Sequence, residues 1–440
     1  MSLESLNHFI TFYFMFPLIL ITGIYFTLKL RFVQITKLKA GFSCLMHSNH
    51  KSEGDISNFE AIATVLAGNL GTGNISGIAV ALATGGPGAL VWMWVMAFFG
   101  AVIQFAGCLL GVKFRGQNQK GEFVGGPMYY IDRGLGQKKM AALFAVFAII
   151  GSLTCGNLVQ VNSLSLPLGE IGISPYFVGL AAALFVGYVI IGGEHRVAVV
   201  ASSIVPFMAA LYVTVACLIL SYRFEAIPAA LTLMISKAFD FSALMGGAAG
   251  FGVAKAIAAG FERGLFATDS GSGLAPIMQA SARVKSAFEE GIVAMVAPLV
   301  VMVICTLTGL VLMVTGATEV EGLKSTMMCT WAFEEGVGHV MGKYIVIVSL
   351  ILFAFTTILA WAYCAERAFE YLFGLKRVAY FRWFFIAVIP LGTVAHVELV
   401  WQMADLAIAA MVATNLFGII ALSGHVFEES EDYILGAASE

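Results

Sequence analysis

The sequence predicts an all-α integral membrane protein of about eleven transmembrane helices: two inverted five-helix units behind one extra N-terminal helix. Three observations lead there: a composition too apolar for water, eleven stretches long enough to cross a bilayer, and two glycine-rich interruptions five stretches apart. Of 440 residues, 60% are hydrophobic and only 12% charged. Mean hydropathy is +0.91. A soluble domain carries roughly 25% charged and about 45–50% apolar residues, so the solvent of this chain is lipid. The net charge of −3 provides no basic face for nucleic acid. The seven cysteines (Cys44, Cys108, Cys155, Cys217, Cys305, Cys329 and Cys364) form no CxxC pair and no metal-ligand spacing with histidine. Most of them read as small hydrophobes inside apolar runs.

A bilayer core of ~30 Å takes about 20 apolar residues at 1.5 Å each. The stretches that qualify run roughly over 8–30, 57–84, 88–112, 140–166, 173–192, 197–221, 243–264, 287–315, 343–365, 380–398 and 400–424. No lysine or arginine precedes Lys29, so the first run lacks the positive flank of a cleaved signal and is expected to stay in the membrane. Residues 1–55 thus hold the extra helix and a basic segment. The first five-helix unit covers 56–222, the second 223–424. An acidic tail, 425–440, carries Glu428, Glu429, Glu431 and Asp432 and is expected to be mobile. With the N-terminus outside, nineteen of the 24 basic residues fall on cytoplasmic connections and only Arg223, Lys237, Lys324 and Lys343 outside, with Lys255 inside a span. That asymmetry is the positive-inside signature of a multi-pass protein of the plasma (inner) membrane.

Two spans contain unusual glycine. The second carries Gly68, Gly71, Gly73 and Gly77 within ten residues, and the seventh carries Gly246-Gly247-Ala248-Ala249-Gly250-Phe251-Gly252. Each glycine costs about 0.8–1 kcal/mol relative to alanine in a helix, so both stretches are biased to open. Freed backbone groups at membrane depth persist only against protein or a watery cavity, where half-helix N-termini favour carboxylates and unwound carbonyls favour cations. Close helix packing through small residues is the alternative. Five spans separate the two stretches, an odd number, so the second unit enters from the opposite side. Inverted units that each open with an interrupted helix are the sequence pointer to a secondary transporter.

The run Gly71-Thr72-Gly73-Asn74-Ile75-Ser76-Gly77, followed by Gly85-Gly86-Pro87-Gly88-Ala89-Leu90-Val91-Trp92-Met93-Trp94, resembles the alanine/glycine:cation symporter family. So do Gly125-Gly126-Pro127-Met128-Tyr129-Tyr130-Ile131, the Gly156–Asn162 segment, Pro206-Phe207-Met208, Arg263-Gly264-Leu265-Phe266, Ala275-Pro276, Cys305-Thr306, and Phe353-Ala354-Phe355-Thr356-Thr357 leading to Trp361. The likeness runs from about residue 57 to 424. It implies a LeuT-type fold, substrates such as alanine, glycine and D-alanine, sodium as the coupling ion, and no other cofactor.

A small zwitterion then needs an anion site, an ammonium site and a tight pocket. The backbone N–H groups around Gly71, Thr72, Gly73 and Asn74 are expected to take the carboxylate, since residues without bulk let a ligand reach the main chain. Asn157 and Gln160, three apart on one helical face, are expected to meet the ammonium, with Asn162 nearby. Gly250, Phe251 and Gly252 would supply carbonyls and an apolar wall, and Trp361 a lid. The bland alternatives are interhelical hydrogen bonds for the amides and an interface belt for the tryptophan. By the resemblance, sodium would sit between the hydroxyls of Thr356 and Thr357 and the carbonyls of Ala67 and Leu70, all oxygen ligands suited to a hard ion. Back-bonding along their own helix is the alternative for the threonines.

The chain departs from the family pattern at Ala267-Thr268-Asp269-Ser270-Gly271, where Ser-Asn-Glu-Ala-Gly is usual, and at Val300-Val301, Gln104, Gly107 and Gln402. Lys255 stands where glutamine is usual. A lysine at bilayer centre costs about 2.5–3.5 kcal/mol on the mildest scale. It would therefore replace sodium, couple protons, or snorkel to the membrane edge. Asp405, Glu60 and Asp269, the last placed in a loop, read as structural acids. No HExxH, carboxylate pair or nucleotide loop supports an enzyme or a pump. A non-transporting amino-acid sensor remains the rival class.

Overall fold

A computed structural model of the chain describes residues 3–46, 53–240, 250–323 and 325–436. Among these the only paired strands are Gly116–Gln117 and Phe123–Val124, a short antiparallel hairpin. Nearly all else is helix. Among the described residues, seven helices are long and apolar enough to cross a membrane unbroken: Ser5–Lys29, Ala89–Lys113, Lys138–Glu170, Glu194–Tyr222, Ala287–Val314, Met341–Phe373 and Val397–Ala421. At 25 to 33 residues each they measure about 38–50 Å, against a hydrocarbon core of ~30 Å. Side chains such as Tyr176, Leu184, Phe185 and Tyr188 lie exposed on the outer faces, as lipid-facing positions should.

The shorter and broken helices matter most for the site. The second apolar stretch starts at Asn58 behind a capping box, in which the Ser57 N–H donates to Glu60 Oε2 (2.8 Å) and the Glu60 N–H to Ser57 Oγ (3.3 Å). Glu60 is thereby spent on the helix start. This helix stops at Asn69, Gly71 is extended, one 3-10 turn spans Thr72–Asn74, and helix resumes over Ser76–Gly85. The first expected interruption is therefore present.

The second expected interruption, 246–252, is described only in part. Gly246–Ala249 fall outside the described residues. From Gly250 the chain is already helical and runs unbroken to Thr268. The break follows: Asp269, Gly271 and Gly273 all take positive φ (+48°, +85° and +89°), and a short helix, Leu274–Gln279, continues beyond. Glycine adopts such angles without penalty and aspartate tolerates them better than most residues. What reads in sequence as a loop after span seven is the interior of a broken helix.

Two further differences follow. Arg263, counted above with the cytoplasmic residues, is buried within this helix and paired to Asp405 at 2.9 Å. The described part of the acidic tail is packed: Ser423–Gly436 is helical, Lys113 pairs with Glu429 at 2.7 Å, and Tyr433 stacks on Phe288 with ring centroids 4.5 Å apart.

Candidate functional site

The two breaks meet. Asn69 Nδ2, at the end of the first half-helix, donates to the Thr268 carbonyl across the molecule (2.9 Å). Between the breaks lies a narrow cavity bounded by Gly68, Asn69, Gly71, Gly73, Cys155, Gln160, Phe266, Asp269 and Trp361. It holds about 10 Å³ open to water, room for roughly one solvent molecule. A larger cavity, about 470 Å³, opens lower on the Met341–Phe373 helix near Arg367. Size does not mark the functional centre here. Freed main-chain dipoles do, and those are at the breaks.

Gln160 carries the most informative contact. Its Oε1 accepts from both the Thr72 N–H and the Thr72 hydroxyl at 3.0 Å, while its Nε2 donates to the Cys155 carbonyl at 3.0 Å. An amide oxygen thus occupies the position a carboxylate oxygen would take against the broken helix. Asn74 turns inward instead and braces the break, donating to the carbonyls of Asn69 (2.5 Å) and Gly71 (3.4 Å).

The expected shared face of Asn157 and Gln160 does not form. Residues Thr154–Leu158 make a π-turn, which widens the helix and breaks the three-residue register. Asn157 therefore points away and donates to the Phe385 carbonyl (3.1 Å), and Asn162 to the carbonyls of Gly392 and Ala395 (both 3.0 Å). Only Gln160 of the three amides lines the cavity. The same turn brings Gly156 against Trp361, where a Cβ would lie 2.2 Å from the tryptophan Cβ. Trp361 is 1% exposed and walls the cavity, so it is no interface-belt residue.

Gly250, Phe251 and Gly252 form the first turn of their helix; Gly252 is exposed, and the side chain of Phe251 lies outside the described residues. The apolar wall comes from Phe266 one turn before the break. Its ring packs where a Gly73 Cβ would stand, 2.6 Å from Phe266 Cδ1. Asp269 is the acid that sequence reasoning set aside. It is buried, borders the cavity, and its Oδ1 has no hydrogen-bond partner. Its positive φ at the break, two residues before Gly271-x-Gly273, is the signal that could have found it.

The proposed ion ligands separate in the same way. Thr357 Oγ1 donates to the Ala67 carbonyl at 2.8 Å, joining the Met341–Phe373 helix to the last turn before the first break, where Leu70 ends the helix. Thr356 Oγ1 instead back-bonds to Leu352 O (2.9 Å) and Phe353 O (3.2 Å) of its own helix. Lys255 is exposed and sits thirteen residues before Thr268, about 20 Å along the helix. It is therefore remote from the cavity at the two breaks.

Beyond the central cavity, Arg367 lies ten residues past Thr357, about 15 Å along the helix. It pairs with Glu122 of the hairpin (3.2 Å) and Glu370 (3.0 Å), while Tyr363 donates to Glu194 (2.7 Å) and Arg382 pairs with Glu366 (2.7 Å). Partial burial would raise the Glu122 carboxyl, but hydrogen bonds from Asn118 and the charge of Arg367 outweigh it and hold the group below the usual carboxylate range.

Two broken helices that face each other across a buried cavity define the secondary-transporter class of membrane fold. The chain belongs to the sodium:alanine symporter family, whose model matches residues 1–439. It is 41% identical over 415 residues to an uncharacterized transporter from Haemophilus influenzae, covering 94% of this chain and 91% of that one. It is 38% identical over 443 residues to the sodium/alanine symporter AgcS of Methanococcus maripaludis, covering 98% and 96%. To the probable sodium/glutamine symporter GlnT of Bacillus subtilis it is 34% identical over 420 residues, covering 94% and 87%. Among solved structures, a manganese transporter of Eremococcus coleocola aligns with a TM-score of 0.54 at 11% identity, covering 84% of this chain and 79% of that one. A sodium-coupled sialic acid symporter aligns at 0.51 and 13% identity, covering 90% and 82%. These two likenesses show a shared membrane-transporter fold.

Proposed function

We propose that this protein is a secondary active transporter that imports small neutral amino acids, alanine and glycine foremost, by sodium symport with alternating access. The single observation that carries the reading is the meeting of the two breaks, at 70–75 and 269–273, around a narrow buried cavity where Gln160 Oε1 fills the place of a ligand oxygen. In this reading the seven long helices join the broken and shorter ones as eleven crossings. They form a LeuT-type pair of inverted repeats, 56–222 and 223–424, with the N-terminus outside and the C-terminus cytoplasmic.

The substrate carboxylate displaces Gln160 Oε1 and takes the Thr72 N–H and hydroxyl, with the Gly71 and Gly73 main chain beside it. Its ammonium meets the unpartnered Asp269 carboxylate oxygen. Phe266, Trp361 and Cys155 close around a methyl group or a hydrogen and leave little space for a longer side chain. Sodium lies between the Ala67 and Leu70 carbonyls and the Thr357 hydroxyl; because Ala67 and Leu70 belong to the helix that holds the carboxylate, each ligand orders the other's site. The charged pairs around Arg367 then close the path to the cytoplasm. Proton coupling through Lys255 draws no support from an exposed residue so far from the cavity.

Counterflow of labelled alanine in proteoliposomes tests this, with sodium and proton gradients imposed separately. Uptake that follows sodium and is competed by glycine supports the assignment. Saturable binding without counterflow makes the protein a sensor, and competition by bulky residues but not glycine removes the small-pocket assignment.

A further inference from the structure

Three charged side chains touch beside the central cavity without belonging to it. Arg263 Nη2 lies 2.9 Å from Asp405 Oδ2 and 3.1 Å from Glu262 Oε1, so two carboxyls converge on one guanidinium nitrogen. Charge balance points to a proton shared between the two acids. The Arg263 and Asp405 side chains are each 8% exposed and Glu262 29%. With both acids ionised the triad carries one uncompensated negative charge inside the membrane, and with one proton it is neutral.

The surroundings favour a proton over a metal ion. Beside the pair is a void of about 10 Å³, lined by Thr11, Met15, Leu265, Phe266, Ile408 and Ala409 together with the two acids. Apart from the acids, the one side-chain oxygen in that lining is the Thr11 hydroxyl, too few ligands for a hard cation that takes about six. The remaining polar neighbour is Asn7, whose Nδ2 reaches Asp405 Oδ2 at 3.5 Å. Across the helix packing, the titratable groups facing the pair are Cys155 of the π-turn and, beyond it, Asp269.

We propose that Glu262 and Asp405 form a single-proton site, separate from the amino-acid cavity, whose occupancy sets the hold on Arg263 and through it the Phe266 wall. The link is geometric. The Arg263 guanidinium lies 5.0 Å from the Trp401 ring and 5.8 Å from the Phe266 ring, and those rings stack at 4.9 Å. Phe266 in turn borders the cavity and abuts Gly73. When the proton leaves, two full charges pull on Arg263 where one did, and the ring it covers is the ring that faces the substrate. The consequence for uptake rests on the transport reading above; the proton site itself does not.

The test uses the full chain, purified and reconstituted, with two readouts. Infrared difference spectra between about pH 5 and about pH 8 report the C=O stretch of a protonated carboxyl without any need for transport. Wild type should show one such titrating group that disappears in Glu262→Gln and returns in Glu262→Asp. Alanine counterflow over the same range should change its apparent affinity at least threefold in wild type and stay flat in Glu262→Gln. A band that survives Glu262→Gln, or a pH profile that superimposes on wild type, overturns the proposal. So does a band that sodium removes at fixed pH, since the site would then take the metal ion. Should wild type show the band but no counterflow, the transport reading fails while the proton site stands.

Discussion

Thr357→Val isolates one contact. Valine keeps the shape of threonine and deletes the hydroxyl that donates to the Ala67 carbonyl at 2.8 Å. As a neutral hydrogen bond alone, that contact is worth about 0.5–1.5 kcal/mol net, whereas a hydrogen bond or ligand bond to a charged group is worth about 1.5–3 kcal/mol. At 1.4 kcal/mol per tenfold, loss of an ion ligand should raise the sodium concentration for half-maximal alanine uptake by roughly 10- to 150-fold. Thr356→Val is the control, because that hydroxyl bonds back to Leu352 and Phe353; its removal should move sodium activation less than about threefold. Initial rates of labelled alanine uptake against sodium, at fixed membrane potential, give both numbers. The reasoning is refuted if Thr357→Val activates like wild type, or if Thr356→Val is the more damaging of the two.

Asp269→Asn keeps the size of the side chain and removes its charge, so alanine affinity should fall by roughly 10-fold or more, the scale of a charge-assisted contact, as read by calorimetric titration. Unchanged affinity would take Asp269 off the ammonium. Gly156→Ala places a carbon 2.2 Å from Trp361 Cβ; overpacking costs about 1–3 kcal/mol, and the variant should show a lower Tm together with weakened alanine binding, where a wild-type Tm would mean the π-turn yields freely. For Glu122 the sign follows from its lowered pKa: the Arg367 pair stabilises the fold above the ordinary carboxylate value of 4.5 and is lost as pH falls through the lower folded value. Thermal unfolding from about pH 3 to about pH 6 should therefore decline less steeply in Glu122→Gln than in wild type, from a lower starting point at neutral pH. Parallel curves would show that this pair does not titrate with folding.

How much of this was legible in the residues depends on what carries the signal. Apolar length carries a strong one: the seven long helices all coincide with expected stretches, because only about twenty uninterrupted residues satisfy both lipid and backbone. The direction of a side chain carries a weak one. Asn157 and Gln160 share a face in any regular helix, and nothing in Thr154-Cys155-Gly156-Asn157-Leu158 announces the π-turn that separates them. Only the pressure of Trp361 on Gly156 explains it, and that contact is tertiary. Lys255 is a related case: the sequence puts it three residues past a glycine-rich stretch, whereas the structure puts it thirteen residues before Thr268, where the helix ends.

The helix that opens at 269–273 shows which glycine pattern matters there. The stretch 246–252 is richer in glycine than 268–274, yet Gly250 and Gly252 sit in helical conformation while 269–273 do not. Glycine content alone measures a weakness of about 1 kcal/mol per residue, which packing easily repays. The two observed breaks share something narrower: Gly71-Thr72-Gly73 and Gly271-Ser272-Gly273 each alternate glycine with a hydroxyl residue, and each is preceded by a polar side chain able to reach across, Asn69 and Asp269 respectively. Alternation matters because the breaks must do two things at once. The glycines allow close approach of the main chain, as at Gly73 against Phe266, or positive φ, as at Gly271 and Gly273. The hydroxyls and flanking polar groups keep the freed peptide units satisfied when no ligand is present, as Ser76 Oγ does for the Thr72 carbonyl at 2.7 Å. A helix that lost its turns without such replacements would leave several bare dipoles in the membrane and would re-form. It follows that the strength of substrate binding is limited by these internal substitutes: each ligand atom must displace a partner such as Gln160 Oε1. Gln160→Ala should accordingly leave the Thr72 N–H bare and make the ligand-free protein, more than the loaded one, prone to unfold.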